Sequence, residues 1–188
     1  NHSTFSKNRY RLMACRVDEL LFDAVKKQVY AKQLMSRDHF TVDGTLLEAC
    51  AGMKSFKPTS SGNDDSDSTG SGENFHGEKR SNKTHESTTD PDSRLYRKGK
   101  GKETKLSFMG HLLTENRNGL IVDAEASLAG ATNEWDSSIT MLANQSSRPG
   151  QTVGADKGYD TNEFVEGCRE LKITPHVAAK TVSSKIDG

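Results

Sequence analysis

Two aspartates sit in the settings of this chain that best suit chemistry. In HFTVDGT, residues 39–45, Asp43 closes a short β-favouring run and is followed by Gly44. In TVGADKGYD, residues 152–160, Asp156 follows a second short apolar run and precedes Lys157, Gly158 and Tyr159. If the two runs are parallel neighbouring strands, both carboxylates converge at one end of a sheet, where open α/β sheets build their sites. Convergent carboxylates suit Mg²⁺ or Mn²⁺, hard ions that take oxygen ligands and keep several waters. Two such ions roughly 3.5–4 Å apart can drive an in-line phosphoryl transfer. The bland alternative stands beside this one: Asp43 can begin a turn with Gly44, and Asp160 can cap the next helix.

Competing chemistries lack a residue each. VDGT followed by GADKGYD echoes the aspartyl-phosphate hydrolases, but Thr41 stands where their nucleophilic Asp belongs. KGKGKET lacks the Gly-Lys-Ser/Thr ending of a phosphate-binding loop. His76 and His85 have no nearby cysteine pair, which argues against structural zinc, and His111 reads as a sheet residue.

Hydrophobic periodicity supplies the elements that must position the aspartates. Val17, Leu20, Leu21, Ala24, Val25 and Val29 follow the spacing of an amphipathic packing helix. Leu106, Phe108 and Leu112 alternate with Ser107 and His111; Asn118-Gly119 supplies a tight turn; Leu120, Val122, Ala124 and Ala126 alternate with Asp123 and Glu125. This pattern predicts a hairpin with one buried face. Trp135, Ile139 and Leu142 share a helix face, and Asp160-x-x-Glu163 opens another helix carrying Phe164, Val165, Cys168 and Leu171 inward. ITPHVAA is the last strand, placed at an edge by Pro175. The order predicts an α/β fold: three antiparallel strands, then βαβ crossovers, in a mixed sheet with helices on its faces.

A long polar insertion follows the first strand. Residues 54–105 hold Phe56, Phe75, Leu95 and Tyr96 as their only large apolar side chains, so much of the segment is expected to be mobile. Its first half, SSGNDDSDSTGSGE (60–73), carries four acids and no base, whereas RLYRKGKGKETK (94–105) carries six bases and one acid. The second half reads equally as a lysine-rich loop or as a phosphate-binding surface.

Composition bounds the rest. The 188 residues hold 26 basic and 26 acidic side chains, so any electrostatic case is local. Cys15, Cys50 and Cys168 form no Cys-x-x-Cys pair, which fits a reducing cytoplasm, and no apolar run is long enough for a bilayer. The chain opens on Asn and stops at SSKIDG, which suggests a piece of something longer.

HFTVDGTLLEA, FHGEKRSNKTHESTTDPDSRLYRKGKGKETKLSFMGH, NRNGLIVDAE and GADKGYDTNEFV together resemble successive blocks of the DDE transposases of bacterial insertion sequences, in the group numbered five. The resemblance runs from STFSKNR to the chain end. It implies an RNase H-like core, with residues 1–35 as a helical lead-in and 36–188 as a catalytic core cut short at its C-terminus. It also implies Mg²⁺ or Mn²⁺ held by Asp43 and Asp156, DNA cutting and joining at terminal inverted repeats and at the target, and a homodimer on paired ends. Lys79, Arg80, Arg94, Arg97, Lys98, Lys100, Lys102 and Lys157 are the DNA-contacting candidates, with Tyr159 a weaker one. The family's third acid, a Glu on a later helix, has no counterpart here: Glu163, Glu166 and Glu170 stand on the wrong helix. The resemblance therefore predicts a chain inactive by itself. A non-catalytic DNA-binding partner and a decayed gene product are the alternatives.

Overall fold

The computed structural model describes residues 2–59, 74–75, 78–97, 99, 101–130, 132–146 and 148–186, and of residues 2, 5, 74, 75, 78 and 79 the backbone alone. Two helices lead in, α1 (His2–Ala14) and α2 (Val17–Ala31). The α2 periodicity predicted a packing helix, but Leu20, Leu21 and Val25 are exposed. Only its last turn, Val29 and Tyr30, reaches the core.

The central strand, β1 (His39–Glu48), runs straight through Asp43-Gly44 instead of ending there. Gly44 is accommodated as an ordinary strand residue, paired with His111 across the ladder.

The described part of the insertion is more structured than its composition suggests. It holds β2 (Phe56–Pro58), the short pair β3 (Asn74–Phe75) and β4 (Glu78–Lys79), β5 (His85–Ser87) and β6 (Arg94–Tyr96). Phe56, Leu95 and Leu106 bury one another in a small satellite core, and Phe56 stacks on His85 with ring centroids 5.4 Å apart. Serine and threonine hydroxyls do the rest: Ser87 Oγ accepts from Thr89 N and Asp90 N, and the Asn82 side chain bonds the Leu95 backbone twice. These side-chain to backbone bonds replace the apolar burial that the segment lacks. The acidic stretch 60–73 lies outside the described residues.

The hairpin follows as β7 (Lys105–Glu115) and β8 (Ile121–Leu128), antiparallel, turning at Gly119 with φ of 69°. Its buried face differs from the predicted one. Met109, His111 and Leu113 point inward while Leu112 is 38% exposed, and Ala124 and Ala126 lie outside with Asp123 and Glu125 half-buried. A register shift at Leu113/Thr114 changes the parity of β8 after Val122. One inserted residue in a period-two pattern exchanges the two faces.

Helix α3 (Asn133–Ala143), β9 (Thr152–Ala155), α4 (Asn162–Glu170) and β10 (Thr174–Val177) complete the fold. The sheet order is β10-β9-β1-β7-β6, with β8 also on β7; β9 and β10 run parallel to β1, as the crossovers predict. Edge strand β10 tolerates Pro175, as expected. Phe40, Val42, Leu113 and Val153 of the sheet face Met141, Leu142, Phe164 and Cys168 of the two helices. No helix among the described residues is long and apolar enough to cross a membrane.

Candidate functional site

The parallel ladder between β1 and β9 pairs Phe40 with Val153 and Thr41 with Gly154. Carrying that register forward two residues sets Asp43 opposite Asp156. Neighbouring strands lie about 4.8 Å apart and side chains alternate between faces. Asp43 and Asp156 therefore share the face of Thr41 and Gly154, opposite the helices, and both are exposed. The structure thus brings together the two acids that the sequence singled out.

Local chemistry fixes the pose of Asp156. It caps a 3-10 turn, Lys157–Tyr159, with Oδ1 accepting from Gly158 N at 2.7 Å. A Cβ on Gly158 would stand 2.9 Å from that oxygen, so a larger residue there would displace the Asp156 carboxylate from this pose, and no unusual φ is involved. Gly154 is under no such constraint: a Cβ there would make an ordinary contact, 3.4 Å from Thr41 Oγ1.

Asp160 has another task than the predicted cap. Thr161 caps α4, accepting from Phe164 N at 3.3 Å. Asp160 is buried and accepts from Lys180 N at 2.7 Å and Lys185 N at 2.6 Å, while Lys180 Nζ donates to its carbonyl. Those backbone donors hold its carboxyl below the ordinary carboxylate range. It ties down the strap that follows β10.

Tyr159 is 1% exposed and packs edge-on against Phe164, centroids 5.0 Å apart. Burial pushes its phenol well up. Ser138 tempers the rise, and Glu134, Asp43 and Asp156 add to it. Its hydroxyl closes no hydrogen bond of normal geometry. Glu134 is an acid that the sequence reading missed. It stands in the first turn of α3, and a Cβ on Gly44 would collide with its Oε1. Gly44 was the available signal, since a glycine inside a strand marks close approach of another group. Nothing in the sequence named the group.

The basic candidates are dispersed. Lys157 is exposed beside Asp156. Arg94 is turned back on the carbonyls of Pro91 and Ser93, and Arg97 Nε donates to Thr104 Oγ1 at 3.1 Å. Lys102 is exposed at the rim of a cavity of about 560 Å³ lined by Leu46, Tyr96 and Lys105. Arg80 is half-buried. Lys98 and Lys100, and the side chain of Lys79, lie outside the described residues. Strand β6 pairs with the start of β7, opposite Glu48. It therefore lies about 17 Å past Asp43, off the end of the sheet where the aspartates stand.

The donor set suits a hard divalent ion: two exposed carboxylates on adjacent strands, with oxygen ligands only. Among the described residues no three His, Cys, Asp or Glu gather closely enough to hold an ion alone. Water or phosphate oxygens would complete such a shell, as is usual for Mg²⁺.

A family model described as transposase DDE domain matches residues 35–187. No curated protein matches the chain. Among solved structures, it is similar to a chain of the simian T-cell lymphotropic virus intasome in complex with PP2A regulatory subunit B56 gamma, with 12% identity and a TM-score of 0.37. The match covers 82% of this chain, which spans 37% of that one.

Proposed function

The chain belongs to the transposase DDE domain family, and on that premise we propose that Asp43 and Asp156 hold Mg²⁺ or Mn²⁺ for cutting and joining DNA strands at transposon ends. The finer reading is a bacterial insertion-sequence transposase of group five, with terminal inverted repeats and target DNA as partners, working as a homodimer on paired ends. The observation that supports it is the β1–β9 register, from which, continued two residues past the Thr41–Gly154 pair, the two aspartates fall side by side on one face.

Each residue then has a task. Asp43 and Asp156 present carboxylate oxygens; Gly158 N fixes one oxygen of Asp156, leaving Oδ2 outside that hydrogen bond. Lys157, adjacent and exposed, offers an ammonium to the DNA backbone. Bound ions supply activation of water or a 3′-hydroxyl and stabilise the leaving oxygen. The glutamates of α4 are exposed on a helix packed against the opposite face, so none of them completes the family's triad.

The test uses end-cleavage of DNA carrying the element's terminal repeats. Asp43→Asn and Asp156→Asn should each remove strand cleavage while DNA binding persists. Cleavage retained in either variant would overturn the assignment.

A further inference from the structure

The end of the sheet where β1 and β9 begin gathers cations that the aspartate centre does not use. Three segments meet there: the chain entering β1 carries Arg37, the β7–β8 turn carries Arg117, and the loop before β9 carries Arg148. All three arginines line one cavity of about 470 Å³, together with Tyr30 and Asp38. A smaller cavity of about 170 Å³ shares Tyr30 and Arg37 with it and adds Lys26. In a chain of net charge zero, these four cations against the single acid Asp38 are a local excess that draws an anion.

Buried polar side chains hold the arginine-bearing segments in place. Gln151, 1% exposed, donates to the Arg37 carbonyl at 2.8 Å and to the Ser146 carbonyl at 3.0 Å, and its Oε1 accepts from Arg148 N at 3.0 Å. Glu115, fully buried, accepts from both Ser36 N and Arg117 N, which fixes the chain entering β1 against the turn. The Arg37 guanidinium stands over the Tyr30 ring, 4.4 Å from its centroid, a contact that restrains a planar cation without using its N–H donors. Among the described residues, neither Arg37 nor Arg148 pairs with a carboxylate. Asp38 accepts from the Ser36 hydroxyl at 3.1 Å and stands 3.9 Å from Arg117 Nη2, with both side chains more than half exposed. So open an ion pair holds Arg117 weakly and leaves it available to another anion.

We propose that this cavity binds phosphate groups of a DNA backbone, with Arg37, Arg117 and Arg148 as the contacting residues, at a site apart from the aspartate pair. Guanidinium forks match phosphate oxygens, and such contacts fix the position of a duplex without reading its bases. Arg37 precedes Asp43 by six residues, so at most about 22 Å of extended chain separates the two. A duplex covers that reach in about six or seven steps of 3.4 Å. The choice of DNA as the source of the phosphate rests on the transposase reading above, whereas the cation cluster stands without it.

The experiment is fluorescence anisotropy of a labelled duplex of arbitrary sequence, titrated with the chain at several salt concentrations. Arg117→Ala and Arg148→Ala, both at exposed positions, should each weaken binding severalfold and lower the slope of log K against log salt by about 0.9, and the double variant by about twice that, with unchanged circular dichroism spectra. Arg148→Lys, which keeps the charge, should keep the slope, and Asp38→Asn, which removes the acid, should tighten binding. Affinity and slope unchanged in both alanine variants, in a chain that does bind duplex, would overturn the site and leave the transposase reading standing. Inorganic phosphate titrated at constant ionic strength separates the two sources of the ligand: binding of the free ion that needs Arg117 and Arg148, with duplex binding indifferent to both, would overturn the assignment to DNA. No duplex binding even at low salt would overturn both the site and the DNA reading.

Discussion

At the level of single residues, Asp156 depends on Gly158 for its pose. A methyl at 158 meets Asp156 Oδ1 at 2.9 Å, in an exposed turn. Gly158→Ala should therefore weaken Mn²⁺ binding severalfold while shifting stability by no more than about 1 kcal/mol. Parallel metal titration and thermal melting would show this; equal losses in both would mean a folding defect only. Cysteine chemistry is a second check. Cys15 and Cys50 are exposed, whereas Cys168 is buried with its thiol pushed up to about 12. Two thiols should react with a thiol reagent in the native chain, and the third only on unfolding. Both aspartates were legible from their residue types and from the apolar runs before them. Glu134 was not, because an acid in a helix's first turn reads equally as a partner for the helix dipole.

At the level of elements, carboxylates do the joining that apolar surface does elsewhere. Glu115, fully buried at the end of β7, accepts from Ser36 N, Arg117 N, Asn118 N and Leu120 N at 3.0, 3.1, 2.8 and 3.3 Å. It thereby ties the hairpin turn to the chain that enters β1. Glu115→Gln removes one acceptor and the charge, and should cost roughly 1–3 kcal/mol in denaturant unfolding. At the other end, Thr161→Ala should cost about 1 kcal/mol through the lost α4 cap. Asp160→Ala should instead speed amide exchange at Lys180 and Lys185 and leave α4 protected, which separates a strap anchor from a helix cap. The strand and helix order could be read from periodicity, because most core positions keep a regular period. The inner face of the hairpin could not, for two physical reasons: it is polar, with His111 bonded to Ser127 at 2.8 Å, and a register shift flips its parity. Within the described part of the insertion composition misled, since hydroxyl and amide side chains order it around a small apolar core of Phe56, Leu95 and Leu106.

For the whole molecule, acid response follows from the same carboxylates. For Glu115, burial alone would raise the carboxyl, but its four backbone donors outweigh that and bring it below the ordinary range; Asp160 is lowered by its backbone donors directly. A depressed folded value means that the stabilisation is complete above the unfolded values, about 3.9 for Asp and 4.3 for Glu, and is lost as pH falls through the folded ones. The urea midpoint should be insensitive to these groups above about pH 5 and fall below about pH 4; Glu115→Gln should shrink that fall. With net charge zero, the DNA contacts that the proposed function requires rest on local cations such as Lys157. Lys157→Ala should reduce the slope of log K against log salt by about 0.9, and Asp43→Asn should leave it unaltered. The most direct measurement replaces the divalent ion with Fe²⁺ and uses ascorbate and peroxide to cut the backbone next to the bound metal. Cuts beside residues 43 and 156, both suppressed by excess Mg²⁺, are the result that a metal centre on adjacent strands β1 and β9 requires. Cuts elsewhere, or none that Mg²⁺ suppresses, would contradict it.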